Sequence, residues 1–384
     1  MSKIRLAIVR QQYRPDGGAE RFISRALKAL NNDSLELNII TRHWQGALKP
    51  GWHLHICNPL KWGRIEREKG FARAARACWQ REKFHIVQSH ERIAGCDIFR
   101  AGDGVHRVWL EQRKRTLSSL QRLLLSLSPY HRYVINAEDA MFHSASLKKI
   151  ICNSMMVKQD IMRCFDVPEE KIALIYNAID SQKFVPASEE QRQESRRMLG
   201  IPSDVKVLIY VGSGFKRKGL EMAIRALAGT DAHLLVVGQD KHQSRYVKLA
   251  RRLECGHRIY FLGMQPQVIP FYHASDGLVL PTLYDPFPNV ILEAMACGLP
   301  VITSTHCGGA DFITQGVEGF VTDALDIAAI HQAIKAIPSL RENSGMGQAA
   351  RARILSCTPE YMAQQLNELY QQMLSMVDSS ISRV

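Results

Sequence analysis

The chain has 384 residues, of which 46% are apolar and 23% are charged, as in a globular protein long enough for two domains. This composition excludes a disordered, collagen-like or coiled-coil protein. The longest apolar runs have the length of a strand, far short of the roughly 18 residues that would span a bilayer. The apolar stretch at the N-terminus is too short for a signal peptide, so we expect a cytoplasmic protein.

The cysteines and the charges narrow the class of protein further. The nine cysteines include no C-x-x-C spacing, which predicts reduced thiols rather than a disulfide framework or a structural zinc site. Residues 1–175 contain 30 Lys and Arg against 17 Asp and Glu, and residues 176–384 contain 20 of each, so the net charge of +13 lies in the first half. Such a field attracts an anionic partner, whether nucleic acid, an anionic membrane or a phosphorylated substrate, although a basic face can also serve solubility alone.

Strand and helix patterns alternate along the first half. The sequence predicts strands at 4–9, 35–40, 85–88 and 149–152, a turn at 15–18, and helices at 19–30, 71–79 and 155–164. Alternation of this kind indicates a parallel sheet with helices on both faces.

The second half repeats the plan after a polar segment, 180–202, that is predicted to be a linker followed by a short helix. Strands are predicted at 206–211, 233–237, 258–262, 277–280 and 301–303, and helices at 220–227, 246–253, 290–296 and 358–376. We therefore predict an α/β protein with two doubly wound, Rossmann-like domains facing a cleft. Such sheets bind ligands at the carboxyl ends of their strands.

Two glycine-containing connections lead from a strand to a helix. Gly17 and Gly18 would let a ligand approach the backbone and the helix N-terminus, although a plain turn explains them equally well. Residues 212–219 carry three consecutive cations, Lys216, Arg217 and Lys218, which repel one another unless an anion such as a pyrophosphate lies among them. The sequence after 219 lacks the Lys-Ser/Thr of a P-loop, which excludes ATP hydrolysis of that type, and a solvated basic turn remains the alternative.

Two carboxylates flank the start of the helix predicted at 290–296. Asp285 precedes this helix, and Glu293 lies within it on an otherwise apolar run. A carboxylate in that setting needs a partner, which ligand hydroxyls or an arginine would supply. The backbone N–H groups of Asn289 and Val290 open the helix and would suit a phosphate.

Polar residues also follow the strands of the basic half. His90 comes after the strand at 85–88, and Asp103 stands in a Gly-Asp-Gly triplet. Both would face the predicted cleft, although a lone histidine is more often structural.

The run from Asp285 to Ile302 resembles the E-x7-E motif of the retaining glycosyltransferases of family 4, which have the GT-B fold. Gly17-Gly18 stands where that family has its glycine loop, and residues 175–180 resemble its interdomain P-N-G-I-D junction. Residues 212–219 and 261–264 resemble the stretches that hold the phosphates and the base. Shorter runs at 13–21, 211–219 and 237–241 are similar to the bacterial lipopolysaccharide-core transferases, which place a hexose or a uronic acid on an inner-core heptose.

The resemblance implies two domains and a reaction. An acceptor-binding domain is expected at 1–178 and a nucleotide-sugar-binding domain at 179–357, with the helix at 358–376 packing back on the first. The expected reaction moves a hexose or hexuronic acid from a UDP-sugar to a heptose of the lipopolysaccharide inner core, with retention of configuration. No cofactor and no metal are expected, because the chain has no D-x-D triplet and cationic side chains would replace the metal.

The resemblance also implies residue roles. Lys218 and Arg217 would stabilise the leaving diphosphate, and Asp285 would accept from the donor-sugar hydroxyls. Asp103 and His90 would orient the acceptor or the sugar. The residues implied to bind the donor are Gly17, Gly18, Ser213, Met264, which would meet the base through its backbone, Asn289, Val290, and Glu293, which would accept from the ribose.

The chain departs from the family pattern at four positions. Asp285 replaces the first Glu of the motif, which shortens the side chain that would hold the donor sugar. Ser213 stands where many relatives have an arginine. In the junction, Tyr176 replaces the proline and Ala178 replaces the glycine.

The basic first half suits an anionic acceptor and the anionic inner face of the cytoplasmic membrane. Residues 109–127 mix cations with leucines and are expected to dock peripherally on that membrane, unless they form a helix packed on its own domain.

Other functions remain as alternatives. They are a GT-B transferase for another glycolipid or polysaccharide, a UDP-sugar epimerase and, more distantly, a nucleic-acid-binding protein. Nucleic acid is not an expected partner, because the basic residues are dispersed and no standard motif is present. A nicotinamide-dependent dehydrogenase would need a G-x-G-x-x-G sequence after its first strand, which is missing.

Overall fold

The computed structural model describes residues 4–13, 35–45, 48, 50–60, 62–339 and 345–381. The chain divides into two compact units, one formed by Met1–Asn177 with Pro359–Val384 and the other by Ala178–Thr358. This division falls inside the junction at 175–180. The turn predicted at 15–18, with Gly17 and Gly18, and the helix predicted at 19–30 lie outside the described residues.

The first unit is built on a parallel sheet of seven strands. The strands of this unit are β1 (Ile4–Val9), β2 (Gln12–Tyr13), β3 (Leu35–Thr41), β4 (His43–Trp44), β5 (Trp52–Ile56), β6 (Ile86–Ser89), β7 (Ile98–Arg100), β8 (Lys149–Cys152) and β9 (Ile172–Leu174). The seven-stranded order is β5-β3-β1-β6-β7-β8-β9, and β2 pairs separately with β4. In the centre, Leu6 of β1 lies opposite Leu37 on one side and Ile86 on the other, and all three are buried.

Helices cover this sheet, as its largely buried central strands require. They are α1 (Gly63–Glu82), α2 (His106–Lys114), α3 (Ser119–Ser126), α4 (Pro129–Phe142), α5 (Met155–Phe165) and, from the end of the chain, α13 (Pro359–Ile381). The hydroxyl of Tyr370 in α13 donates to Oε1 of Gln88 in β6 at 2.5 Å. Four apolar residues spaced along α13 are buried, Met362, Leu366, Leu369 and Met373.

The second unit is built on a parallel sheet of six strands. These are β10 (Val207–Val211), β11 (His233–Val237), β12 (Ile259–Gly263), β13 (Gly277–Leu280), β14 (Val301–Ser304) and β15 (Gly319–Thr322), in the order β12-β11-β10-β13-β14-β15. The helices are α6 (Glu189–Met198), α7 (Leu220–Ala228), α8 (Gln243–Arg252), α9 (Ile269–His273), α10 (Asn289–Ala296), α11 (Ile327–Ala336) and α12 (Gly345–Ile354). Strand order reverses between β10 and β13, which is where sheets of this type bind ligands.

Most of the predicted elements are confirmed to within a few residues. The helix expected after the linker is α6, and the five strands predicted for the second half are β10 to β14. The nine cysteines are free, as the sequence predicts. Within the described ranges, no helix combines the length and apolar character that crossing a bilayer requires.

Candidate active site

The loop after β10 ends in a sharp turn, and the last residue of that turn must be a glycine. Gly219 has a φ of 75°, and a Cβ added to it would lie 1.8 Å from the carbonyl oxygen of Pro281. The next residue, Leu220, begins α7, and its N-cap residue, Gly219, has no side chain to cap the helix. The loop therefore passes directly against the segment that follows β13, the neighbouring strand.

Two of the three consecutive cations in this loop converge on one carboxylate. Arg217 Nη1 donates to Asp285 Oδ2 and to the Tyr284 carbonyl, each at 3.0 Å, and Lys218 Nζ lies 3.3 Å from the same Oδ2. Lys216 is exposed instead. From the sequence we expected an external anion between these cations, whereas in the protein Asp285 already provides a negative charge.

Asp285 is held in place by its backbone. Its N–H donates to the His306 carbonyl at 3.0 Å, and its own carbonyl accepts from the Gly308 N–H at 2.9 Å. The Asp285 side chain is only 9% exposed, as suits a carboxylate with two cationic partners. The segments after β10, β13 and β14 thus meet at one edge of the sheet and fix the geometry of the three charges.

Glu293 is buried in α10 and has a tyrosine as partner. Its Oε2 accepts from the hydroxyl of Tyr272 in α9 at 3.0 Å. The sequence predicted ligand hydroxyls or an arginine for this role and did not single out Tyr272, which lies 21 residues away. Asn289 and Val290 open α10 after Pro288, whose side chain makes no capping hydrogen bond.

Ser213 and Met264 contact each other at the ends of β10 and β12. The Ser213 hydroxyl lies 3.6 Å from the Met264 sulfur, and it accepts from the Gln239 N–H at 3.5 Å. Met264 is 65% exposed. Residues after three adjacent strands therefore form a continuous edge with the Asp285 cluster.

The two candidate residues of the first unit differ in exposure. His90 is buried, with Nε2 3.0 Å from the side-chain nitrogen of Gln88. Burial, reinforced by the charges of Arg100 and Arg10, lowers the pKa of His90 well below its usual range, so the ring is neutral. Asp103 lies exposed in the turn after β7. The His90 side chain is therefore enclosed in the hydrogen-bond network around Gln88, whereas the Asp103 side chain is accessible to solvent.

The strand order of the first sheet also reverses, between β1 and β6, and a second carboxylate lies there. Glu91 Oε1 accepts from the backbone N–H of Gln11 at 2.9 Å. Burial raises the pKa of Glu91 to about 7, against the opposing effects of Arg10 and the Gln11 N–H. Glu91 stands beside His90 directly after a strand in the sequence, but no role was predicted for it.

Across the part of the chain that the structure describes, no group of three or more His, Cys, Asp or Glu side chains is arranged to hold a metal ion.

Two family models match the chain. "Glycosyltransferase Family 4" matches residues 16–183, and "Glycosyl transferases group 1" matches residues 191–353. With the two parallel sheets and their strand order, these matches define a glycosyltransferase of GT-B fold. The chain belongs to the family 4 and group 1 glycosyltransferases.

Three curated relatives illustrate the range of the family. The lipopolysaccharide glucosyltransferase WaaG of Escherichia coli K12 is 25% identical over 81% of this chain and 83% of that protein. An uncharacterized glycosyltransferase of Methanocaldococcus jannaschii is 33% identical over 44% of this chain and 46% of that protein. A D-inositol 3-phosphate glycosyltransferase of Corynebacterium diphtheriae is 27% identical over 58% and 55%. The chain spans about half the length of these last two relatives.

Solved structures share the fold. A WaaG crystal structure superposes with a TM-score of 0.78 at 23% identity, covering 93% of this chain and 98% of that chain. Sucrose-phosphate synthase from Thermosynechococcus elongatus has a TM-score of 0.78 at 21% identity over 97% and 100%. Anabaena HepE in complex with UDP-glucose has a TM-score of 0.68 at 19% identity over 96% and 100%. The predicted GT-B class is therefore confirmed.

Proposed function

We propose that this protein is a retaining glycosyltransferase that moves a hexose or hexuronic acid from a UDP-sugar to a heptose of the lipopolysaccharide inner core. The observation that carries the proposal is the convergence of Arg217 and Lys218 on Asp285 where the strand order of the second sheet reverses. The reaction takes place at the cytoplasmic face of the inner membrane and needs neither a metal nor another cofactor.

The donor is bound by the second unit. As the bond between the sugar and the diphosphate breaks, negative charge grows on the diphosphate, and Lys218 and Arg217 stabilise it. The N-terminus of α10, at Asn289 and Val290, adds backbone N–H groups and the positive end of its dipole. The leaving phosphate takes the proton of the acceptor hydroxyl, so no protein nucleophile is required.

Polar groups around these cations orient the rest of the donor. Glu293, oriented by Tyr272, accepts from the ribose hydroxyls, and Asp285 accepts from the donor sugar. Ser213 and Met264 lie beside the base. The HepE structure with UDP-glucose supports a UDP-sugar, since it has the same fold.

The acceptor is bound by the first unit, which carries the excess positive charge and Asp103. A donor-binding role for Gly17 and Gly18 remains a prediction from the sequence. The similarity to WaaG supports an acceptor in the lipopolysaccharide core, because that relative is a lipopolysaccharide glucosyltransferase and the match extends over most of both chains.

A leucine-rich helix brings the enzyme to the membrane. Four leucines, Leu120, Leu123, Leu124 and Leu127, are each more than half exposed along and just after α3, whereas Leu125 is buried. The cations Arg113, Lys114, Arg115 and Arg122 flank them. An exposed apolar stripe between cations suits an anionic bilayer, where the leucines enter the acyl boundary and the cations meet the headgroups.

Membrane binding is tested by co-sedimentation with liposomes that contain anionic lipid. Changing Leu120, Leu123 and Leu124 to Ser is expected to abolish binding, and Leu355→Ser, an exposed leucine of the second unit, is the matched control. Retained binding after Arg113, Lys114, Arg115 and Arg122 are all changed to Glu would refute the docking proposal.

The function is tested by a transfer assay with a panel of UDP-sugars and deep-truncated lipopolysaccharide, read by mass spectrometry. A mass gain of one hexose or one uronic acid, unaffected by EDTA, is the expected result, and the anomeric configuration of the product tests retention. If no donor gives a mass gain, the result would indicate that the acceptor is another glycolipid or polysaccharide. Conversion of the UDP-sugar without any acceptor would identify an epimerase.

A further inference from the structure

The turn that carries Asp103 is held by contacts that the proposed mechanism does not use. Gly104, with a φ of 65°, closes the turn, and its N–H donates to the Ala101 carbonyl at 3.1 Å. This geometry leaves Asp103 exposed at the tip, directly after β7. The turn ends at Val105, and α2 begins at His106.

Arg92 bridges this turn to the interior of the first unit. Its Nη2 donates to the Gly104 carbonyl at 3.3 Å, and its Nε donates to Glu138 Oε1 at 2.8 Å. Burial acts to lower the pKa of Arg92, but the carboxylates of Glu138 and Asp103 outweigh burial and raise it. Arg92 is thus a positive charge that joins the buried Glu138 carboxylate to the backbone of the turn.

Glu138 completes the support from α4. It is 1% exposed, and its Oε1 also accepts from the His106 N–H at 2.8 Å. The first turn of α2 holds no acidic residue, and the side chain at its N-cap, Val105, makes no capping hydrogen bond within the described residues. Glu138 therefore caps α2 from another helix, where a negative charge is favoured by the helix dipole.

We propose that Arg92 and Glu138 are positioning residues for sugar transfer. Together they hold the backbone at Gly104 and at His106, and this fixes where the turn presents Asp103 to the acceptor. The inference rests on the proposed function, in which Asp103 meets the acceptor. A buried ion pair adds little to the free energy of unfolding, because apolar residues of the same volume can replace it without loss of stability. A charged pair that holds the backbone on the C-terminal side of an exposed carboxylate is better explained by the position that it imposes.

The planar fork of arginine explains the residue type. Nε and Nη2 point to two acceptors, Glu138 and Gly104, at the same time, which the single ammonium of a lysine does with less directional control. Arg92→Lys is accordingly expected to retain part of the function that Arg92→Met loses.

The experiment compares steady-state kinetics of the full-length enzyme variants with Arg107→Met as the matched control. Arg107 also joins the helices α2 and α4, through Asp139 at 3.0 Å, but within the described residues its side chain makes no hydrogen bond or ion pair with the Asp103 turn. Arg92→Met and Glu138→Gln are expected to lower kcat/KM for the acceptor by about 100-fold, the cost of a misplaced catalytic group. In Arg92→Met and Glu138→Gln, the KM for the UDP-sugar should change less than about twofold, because donor binding does not depend on this turn. The kcat/KM of Arg107→Met for the acceptor should also change less than about twofold.

A double-mutant cycle with Asp103→Asn separates positioning from a structural role. Because Arg92 acts through Asp103, Arg92→Met should cost little in the Asp103→Asn background, whereas a merely structural loss would add to it. Additive losses, or a loss no larger than that of Arg107→Met, would overturn this inference and leave the proposed function intact. If the wild-type enzyme transfers no sugar to a core acceptor, the proposed function and this inference both fail. Arg92→Lys and Glu138→Gln provide the same comparison if Arg92→Met does not fold.

Discussion

The ammonium of Lys218 lies 3.3 Å from Oδ2 of Asp285, the same oxygen that accepts from Arg217 at 3.0 Å. The cations follow β10, and the carboxylate follows β13, the adjacent strand. One carboxylate thus keeps two cations together at the point where the strand order reverses. The cations are already oriented before any anion arrives, which is what electrostatic stabilisation of a leaving group requires.

Removing the Lys218 charge should slow transfer with little effect on folding. Lys218→Met is expected to lower kcat by about 10²- to 10³-fold, the usual cost of one group that stabilises developing charge. The measurement is the initial rate of sugar transfer at saturating donor. Lys216→Met is the control, because that neighbouring cation is exposed. Equal losses in both variants would show that the overall charge of the loop, rather than the Asp285 cluster, supports catalysis.

The hydroxyl of Tyr272 should matter for donor binding as well as for stability. Tyr272→Phe removes a donor from the buried Glu293, which is expected to destabilise the second unit by about 1–3 kcal/mol. A carboxylate that has lost this partner is less well oriented, so the affinity for UDP should also fall. Calorimetric titration with UDP and urea unfolding measure the two effects, with Tyr361→Phe, an exposed tyrosine, as control. Unchanged UDP affinity would exclude Glu293 as a ribose ligand positioned by Tyr272.

A buried ion cluster anchors the start of the second unit. The fully buried Asp276 accepts from Arg192 at 2.6 Å, from Arg196 at 2.9 Å and from the Val207 N–H at 2.7 Å. Asp276→Ala leaves two buried guanidinium groups without this carboxylate, and breaking such clusters costs about 3–5 kcal/mol. Urea denaturation followed by circular dichroism should show this loss, whereas Asp204→Ala, an exposed aspartate, should change little. A loss below about 1 kcal/mol would mean that the arginines find other partners.

Glu91 should make stability depend on pH. Burial raises its pKa in the folded protein to about 7 from an ordinary value of 4.5. Between these values the folded protein keeps a proton that the unfolded chain has lost, so raising the pH favours unfolding. The contribution of Glu91 is complete below pH 4.5 and is lost as the pH rises through about 7.

Melting temperatures from pH 5 to pH 8 test this dependence. Glu91→Gln should remove the decline and be more stable than the wild type at pH 8, because the neutral amide needs no proton. Glu66→Gln, at an exposed glutamate of α1, should follow the wild-type curve. An identical decline in Glu91→Gln would assign the pH dependence to another group.

Several strands could not be predicted from the sequence. The sequence did not predict β5 (Trp52–Ile56) or β7 (Ile98–Arg100). Strand β5 lies at the edge of its sheet and contains two histidines, and β7 has only three residues, so neither shows a long apolar run. A strand of this kind is stabilised by its neighbours in the sheet rather than by its own composition.

The sequence by itself determined the class of this protein. The apolar runs of β10, β11 and β13 mark fully buried parallel strands, and the segment from Asp285 to Ile302 identified the family. Both signals are local in the chain, because strand length, helical spacing and a motif each occupy one short window. The roles of Gly17 and Gly18 rest on the same kind of signal and stay predictions.

Only the tertiary structure decided which side chains meet. Asp285 lies 67 positions after Lys218 in the chain, Tyr272 lies 21 before Glu293, and Glu138 lies 46 after Arg92. Whether such residues touch depends on strand order and on the crossing of helices, which hydrophobic periodicity does not encode. The physical reason is that a buried charge must find a partner wherever the packed chain brings one within about 3 Å, regardless of its distance in sequence.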